Sequence, residues 1–183
     1  MRRFGRSAGT LLAILVLLLI AAVAGRFAPA EPPMSGRATA VDGDTLRLDG
    51  ERVRILGIDA PELEQSCTDA SGTQWQCGQT ARTKMAGLLK GANIDCKPQG
   101  HDRYGRVLAH CYSGPNDLAQ TMVRAGLAVA DGDYFSDEAQ ARNDKAGIWA
   151  GLFIEPAQWR REHDIGAGGE GEGLWTAIRS WFR

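Results

Sequence analysis

The chain is 183 residues long, 44% hydrophobic and 23% charged, enough for one globular domain with appendages. Its formal net charge is −1, but Arg2, Arg3, Arg6 and Arg26 precede Glu31 and no acidic residue does, so the remainder of the chain is near −5. That sign excludes a protein that coats nucleic acid through bulk charge, which depends on counterion release by many Lys and Arg. A local phosphate site stays open, since a pocket for a divalent cation itself needs carboxylates.

Residues 1–30 read as an export segment: three arginines, an apolar run from Leu11 to Ala24, then Gly25 and Arg26. Ala22-Val23-Ala24 and Ala28-Pro29-Ala30 are small-residue patterns that favour a cleaved signal peptide. Ser7 to Gly25 carries no charge and is close to the roughly 20 residues of a spanning helix, so an uncleaved anchor is the alternative. Either way the positive-inside rule puts the body outside the cytoplasm, periplasmic or secreted.

After a spacer over 31–35, the main domain is expected over 36–163. Alternating or β-branched runs at Gly36–Val41, Thr45–Leu48 and Arg52–Ile58, punctuated by Asp42-Gly43 and Asp49-Gly50, predict a β-meander. Glu64–Gln76 is a loop by composition. Helical spacing predicts a helix over Gly78–Lys90, closed by Gly91. Two strands, Ala92–Lys97 and Arg106–Tyr112, are joined by a long Gly- and Pro-containing connection. Helices follow over Asp117–Ala125 and about Ser136–Ala146, the last with Ser136 as its N-cap. Residues 164–183 are expected to be a Gly-rich linker and a short amphipathic tail. There Leu174, Trp175, Ile178, Trp181 and Phe182 share a helical face that suits either a membrane surface or docking on the domain. These elements predict an α+β fold, a five-stranded OB-type β-barrel with three packed helices behind the N-terminal helix.

Cys67, Cys77, Cys96 and Cys111 agree with an oxidising compartment, where an even count reads as two disulfides. Zinc is disfavoured by the lack of a C-x-x-C, and free buried thiols are the bland alternative. If Ala92–Lys97 and Arg106–Tyr112 form an antiparallel hairpin, a register opposing Cys96 to Cys111 is available. The expected pairs are Cys67–Cys77 and Cys96–Cys111, which close the shortest loops.

Polar residues concentrate at Asp42-Gly43-Asp44-Thr45, from Arg54 through Asp59-Ala60-Pro61-Glu62, and at Asp102-Arg103-Tyr104-Gly105-Arg106. Carboxylates and arginines at strand ends can converge at one barrel rim. Phosphoryl chemistry uses that combination: oxygen ligands for a hard cation, guanidinium forks for phosphate oxygens, and a carboxylate for water. Each piece alone is weak. An Asp-Gly is usually only a turn, and of Arg52 and Arg54 at least one is expected to face solvent.

Together and in this order, Val41–Thr45, Arg54–Glu62 and Asp102–Arg106 resemble the three signature segments of the staphylococcal nuclease family, the likeness running from about Gly36 to the Gly147-Ile148-Trp149 closing the third helix. The resemblance implies an OB-fold and a Ca2+-dependent phosphodiesterase that cleaves DNA and RNA. It further implies that Asp44, Asp59 and the Ala60 carbonyl hold Ca2+, with Asp42 an acidic neighbour of the ligands. Glu62 becomes the general base or water-positioning group, and Arg54 and Arg106 clamp the phosphate. Arg103, Tyr104 and Tyr134 match positions contacting nucleotide phosphates, although Asp131-Gly132-Asp133 stands where a further tyrosine is expected. The expected partner is DNA or RNA, the expected state a monomer, with membrane attachment only through an uncleaved N-terminal anchor. A non-catalytic nucleic-acid or protein binding module, with a link to exopolysaccharide production, is the alternative. It has no need of Arg54, Glu62, Arg106, Asp44 and Asp59 all at once.

Overall fold

The computed structural model of the protein describes residues 4–25 and 31–167, side chains being described from residue 9 to 20 and from 31 to 163. Two compact units result, divided after Glu31. The first is a helix, α1 (Phe4–Gly25), on which Leu11, Leu15 and Leu19 are each more than 60% exposed. Among the described residues no helix is long and apolar enough to cross a membrane.

The second unit begins with β1 (Met34–Gly36) and β2 (Ala38–Ala40), followed by β3 (Thr45–Leu48) and β4 (Glu51–Ile55). Met34 and Ser35, expected to be spacer, therefore belong to the sheet, paired with Cys96 and Asp95. Two small antiparallel pairs are built from short pieces: β5 (Ile58–Asp59) with the distant β11 (Val129–Ala130), and β6 (Cys67–Thr68) with β7 (Gln74–Trp75). The long hairpin is β8 (Ile94–His101) with β9 (Val107–Ser113), extended by β10 (Asn116–Asp117). Helices α2 (Cys77–Leu89), α3 (Leu118–Arg124) and α4 (Phe135–Asn143) are the three expected from the periodicity. A 3-10 turn (Gly147–Ala150) and a further helix, α5 (Pro156–Ala167), complete the unit.

The main sheet runs β1-β8-β9-β4-β3-β2. Only Arg37 separates β1 from β2, so the two ends of that order are one bent stretch of chain, and the sheet curls onto itself as a five-stranded barrel. Closure of this kind leaves few open edges. The interior is filled by alternate strand residues, Leu46, Leu48, Val53, Ile55, Ile94 and Ala109, each 1% exposed or less. Met85 from α2 and Leu118 and Met122 from α3 seal it.

Three expectations need correction. Arg52–Ile58 is two strands, because Gly57 takes a positive φ of 81° and turns the chain between β4 and β5. The N-cap of α4 is Tyr134, at φ 62°, and Asp137 and Glu138 of its first turn are buried in ion pairs with Arg124 and Arg142. Residues 156–163, which carried no expected element, form most of α5, and that helix runs on through 164–167, which were expected to belong to the linker. The amphipathic tail over 174–183 lies outside the described residues.

Both disulfides form as expected, Cys67–Cys77 and Cys96–Cys111, the latter across directly opposed residues of β8 and β9. The 15-residue separation of Cys96 and Cys111 corresponds to about 3 kcal/mol of lost unfolded-state freedom. The variant Cys96→Ala/Cys111→Ala is expected to melt about 6–12 °C lower by calorimetry, at about 2–4 °C per kcal/mol for a unit of this size. A shift below about 3 °C would show that this bridge adds little to the barrel.

Candidate active site

Local chemistry builds the first loop. Asp42 Oδ1 accepts from the backbone N–H of Asp44 (3.0 Å) and of Thr45 (2.7 Å), an Asx turn that hands the chain into β3. Gly43 sits where a Cβ would come within 2.6 Å of the Ala60 Cβ and 2.9 Å of the Ala81 Cβ, so this turn can pack against α2 and the Asp59–Ala60 segment. Asp44 is consequently buried at 4% exposure. Its Oδ2 accepts from the Ala60 N–H at 2.9 Å, and its Oδ1 from the Thr45 hydroxyl at 3.1 Å.

Arg54, on neighbouring β4, spans the two candidate ligands. Its Nη1 donates to Asp44 Oδ1 at 2.7 Å and its Nη2 to Asp59 Oδ1 at 2.9 Å. Burial pushes the Asp44 carboxyl up to about 7, the charges of Asp42 and Asp59 adding to the rise while Arg54 and the Ala60 N–H oppose it. Two adjacent buried carboxylates, bridged by Arg54 and with Asp59 also paired to Arg160, offer the oxygen donors a hard divalent cation takes, Asp44, Asp59 and the Ala60 carbonyl. Among the described residues no three His, Cys, Asp or Glu side chains cluster as metal ligands, so water would complete such a shell.

Glu62 is held from several directions. Its N–H donates to Gln65 Oε1 at 3.1 Å, and Gln65, fully buried, donates from Nε2 to the Ile154 carbonyl at 2.6 Å. At Gly78 a Cβ would fall 1.7 Å from the Glu62 carbonyl oxygen, so α2 starts hard against the Glu62 backbone, and the Cys67–Cys77 bridge pins the intervening loop. In the third segment Asp102 Oδ1 accepts from the N–H groups of Tyr104 and Arg106, closing the turn. Its Oδ2 accepts from Arg106 Nε at 2.7 Å, which orients that guanidinium. Arg103 lies over the exposed Tyr104 ring at 4.8 Å and donates to its hydroxyl.

These groups face one cleft of about 760 Å³, lined by Asp42, Asp44, Arg54, Ala60, Glu62, Arg103, Tyr104 and Arg106 together with Arg52, Arg160 and Arg161. Six arginines thus gather at one opening of an otherwise acidic body, the local phosphate site that the net charge left open. Arg52 shares the outward face of β4 with Arg54; both line the cleft, Arg54 half-buried and Arg52 exposed to solvent as expected of one of the two. Tyr134 is not brought there. Its hydroxyl donates to Asp117 Oδ2 at 2.8 Å, its ring packs against Gly57, and burial beside Asp117 pushes its pKa well above the usual tyrosine range. Sequence reasoning missed Gln65 and Arg160. A buried glutamine leaves no mark in the hydrophobic pattern, and Arg160 reads as an ordinary charge on a polar helix.

The chain matches the staphylococcal nuclease homologue family over residues 52–151, more than half its length. The chain belongs to that family. Among relatives, it is 34% identical to the "Succinoglycan biosynthesis protein ExoI" of Rhizobium meliloti, over 78% of this chain and 76% of that protein. An "Uncharacterized endonuclease" of Haemophilus influenzae is 32% identical over 68% of this chain and 71% of its own length. The "Micrococcal nuclease" of Shigella flexneri is 30% identical over 66% and 76% respectively. In this nuclease-family protein Asp42 and Asp44 precede the matched stretch and α5 follows it, so the cleft is walled partly by residues beyond the match.

Proposed function

We propose that this nuclease-family protein is a Ca2+-dependent phosphodiesterase acting on DNA or RNA outside the cytoplasm. The observation that carries the reading is the convergence of Asp44, Glu62, Arg54 and Arg106 at one cleft from three separate segments, with Asp59 tied to them through Arg54. A binding module would not require a carboxylate held as Glu62 is beside paired acidic groups. The ExoI relative's name concerns succinoglycan, whereas arginine forks beside carboxylates are the chemistry of a phosphate ester.

In the reaction, Arg54 and Arg106 grip the non-bridging oxygens of the phosphate and meet the charge that grows on them as the bond order to phosphorus changes. Glu62 orients a water and accepts its proton as the water oxygen bonds to phosphorus and the bond to the leaving sugar oxygen breaks. A calcium ion held by Asp44, Asp59 and the Ala60 carbonyl would supply Lewis-acid polarisation of the phosphoryl group. Fixed positions matter here, and the Gln65 amide, the close approach of Gly78 and the Cys67–Cys77 bridge hold Glu62 by its backbone.

Export is supported by Arg2, Arg3 and Arg6 ahead of an apolar helix that exposes Leu11 through Ile20, and by two disulfides in the folded body. An exposed apolar helix of this kind needs a lipid or a protein to cover it.

The deciding experiment uses protein purified after residue 30, incubated with single-stranded DNA and with supercoiled plasmid. Cleavage is expected in calcium, none in excess chelator, and recovery on adding calcium back. Calcium at about 100 times its Kd should also stabilise the fold by about 2.7 kcal/mol, read as a raised Tm. Full cleavage in chelator would remove the cation from the mechanism.

A further inference from the structure

Helix α5 brings Ala157, Arg160 and Arg161, spaced one helical turn apart, to the wall of the cleft. Arg160 reaches across it. Its Nη1 donates to Asp59 Oδ1 at 2.9 Å and to Glu62 Oε1 at 2.7 Å, and its Nη2 to Asp59 Oδ2 at 2.8 Å. With Arg54 on Asp59 Oδ1 and Asp44 Oδ1, two guanidinium groups now sit where a cation would be ligated. A divalent ion cannot share Asp59 with both at ion-pair distance without strong like-charge repulsion. Arg54 is anchored on a barrel strand and is 19% exposed, whereas the Arg160 side chain is 37% exposed on a helix at the edge of the domain, so Arg160 is the group that yields. Beside it lies a cleft rimmed by Arg52 and Arg103, where its fork finds a second kind of oxyanion.

We propose that Arg160 is a third phosphate-binding guanidinium of this site, resting on Asp59 and Glu62 until a divalent cation takes over their charge and then gripping a substrate phosphate. This deepens the nuclease reading and rests on it. The consequence is an exchange of partners: the cation competes with Arg160, and the cation's arrival frees Arg160 for nucleic acid, so cation and substrate favour one another's binding.

The test compares wild type, Arg160→Gln and Arg160→Lys after melting curves confirm that each is folded. Calcium alone is titrated calorimetrically. Arg160→Gln should bind it about tenfold more tightly than wild type, with Arg160→Lys nearer wild type because the charge remains. Binding of a cleavage-resistant phosphorothioate oligonucleotide in saturating calcium, read by fluorescence anisotropy, should be weakened about tenfold in Arg160→Gln, with a matching rise in KM on ordinary single-stranded DNA. Unchanged or weaker calcium binding in Arg160→Gln overturns the exchange, and unchanged oligonucleotide affinity overturns the phosphate contact. A wild-type protein that cleaves no nucleic acid defeats the nuclease reading instead, and the two binding titrations still decide the place of Arg160.

Discussion

Replacing Arg54 by lysine should lower turnover on single-stranded DNA by roughly two to three decades, about 3 to 4 kcal/mol of transition-state stabilisation, in a protein that remains folded. The size follows from geometry. Arg54 uses both terminal nitrogens at once, one on Asp44 and one on Asp59, and only a planar fork can bridge two acceptors this way or grip two phosphate oxygens. Lysine keeps the charge, so the buried carboxylates stay compensated. Arg54→Ala should do worse in another respect, because stripping one partner from a buried ion-pair cluster typically costs about 3–5 kcal/mol of stability. Arg106→Lys should show a comparable loss of turnover with a smaller effect on the melting temperature, its partner Asp102 lying on a solvent-facing hairpin turn. Steady-state kinetics paired with thermal melts separates the two effects. Near-normal turnover in either lysine variant would remove that arginine from the phosphate clamp.

Gly78→Ala is expected to damage activity by about a hundredfold from a position that bears no functional group. The added methyl would fall 1.7 Å from the Glu62 carbonyl oxygen and within 2.6 Å of its carbonyl carbon, and these are backbone atoms that no rotamer change can move aside. Either the start of α2 or the Pro61–Leu63 segment must shift, yet the Cys67–Cys77 bridge and the buried Gln65 hold both. Overpacking of this sort costs about 1–3 kcal/mol of stability, and a displacement of about 1 Å at a catalytic group can cost about 10²-fold in rate. The accompanying control is Gly87→Ala, in the same helix with nothing within 4 Å of the added methyl, which should leave turnover unchanged. Turnover within a factor of three of wild type in Gly78→Ala would mean that the position of Glu62 tolerates the shift.

Much of the barrel was legible because its signals are local. Alternation in Thr45–Leu48 and the Asp-Gly turn before it place β3 residue for residue, and opposed cysteines in two adjacent runs pin the β8–β9 register. Gly57 escaped notice because one glycine inside an apolar run looks like a tolerated strand residue, and only its positive φ shows that it turns the chain. Helix α4 was placed two residues late at its start, since Ser136 is a better cap by propensity than a tyrosine in left-handed conformation. The hydrogen bond from Tyr134 to Asp117 and its packing on Gly57 outweighed that preference.

The site divides along the same line. Asp42, Asp44, Arg54, Asp59, Glu62 and Arg106 stood out in three polar segments, each weak alone, and their separate roles came only through the resemblance of the three together; the turn chemistry at Asp42 and Asp102 that shapes two of these segments is local. Tertiary structure alone decided the rest. Arg160 meets Asp59 across 101 residues of sequence, and Gln65 meets Ile154 across 89. No periodicity records such meetings, for they depend on where the chain from Ile154 through α5 packs against the barrel. Tyr134 shows the converse: the sequence placed it in a matching position, but its phenol donates to the half-buried Asp117 carboxylate away from the cleft.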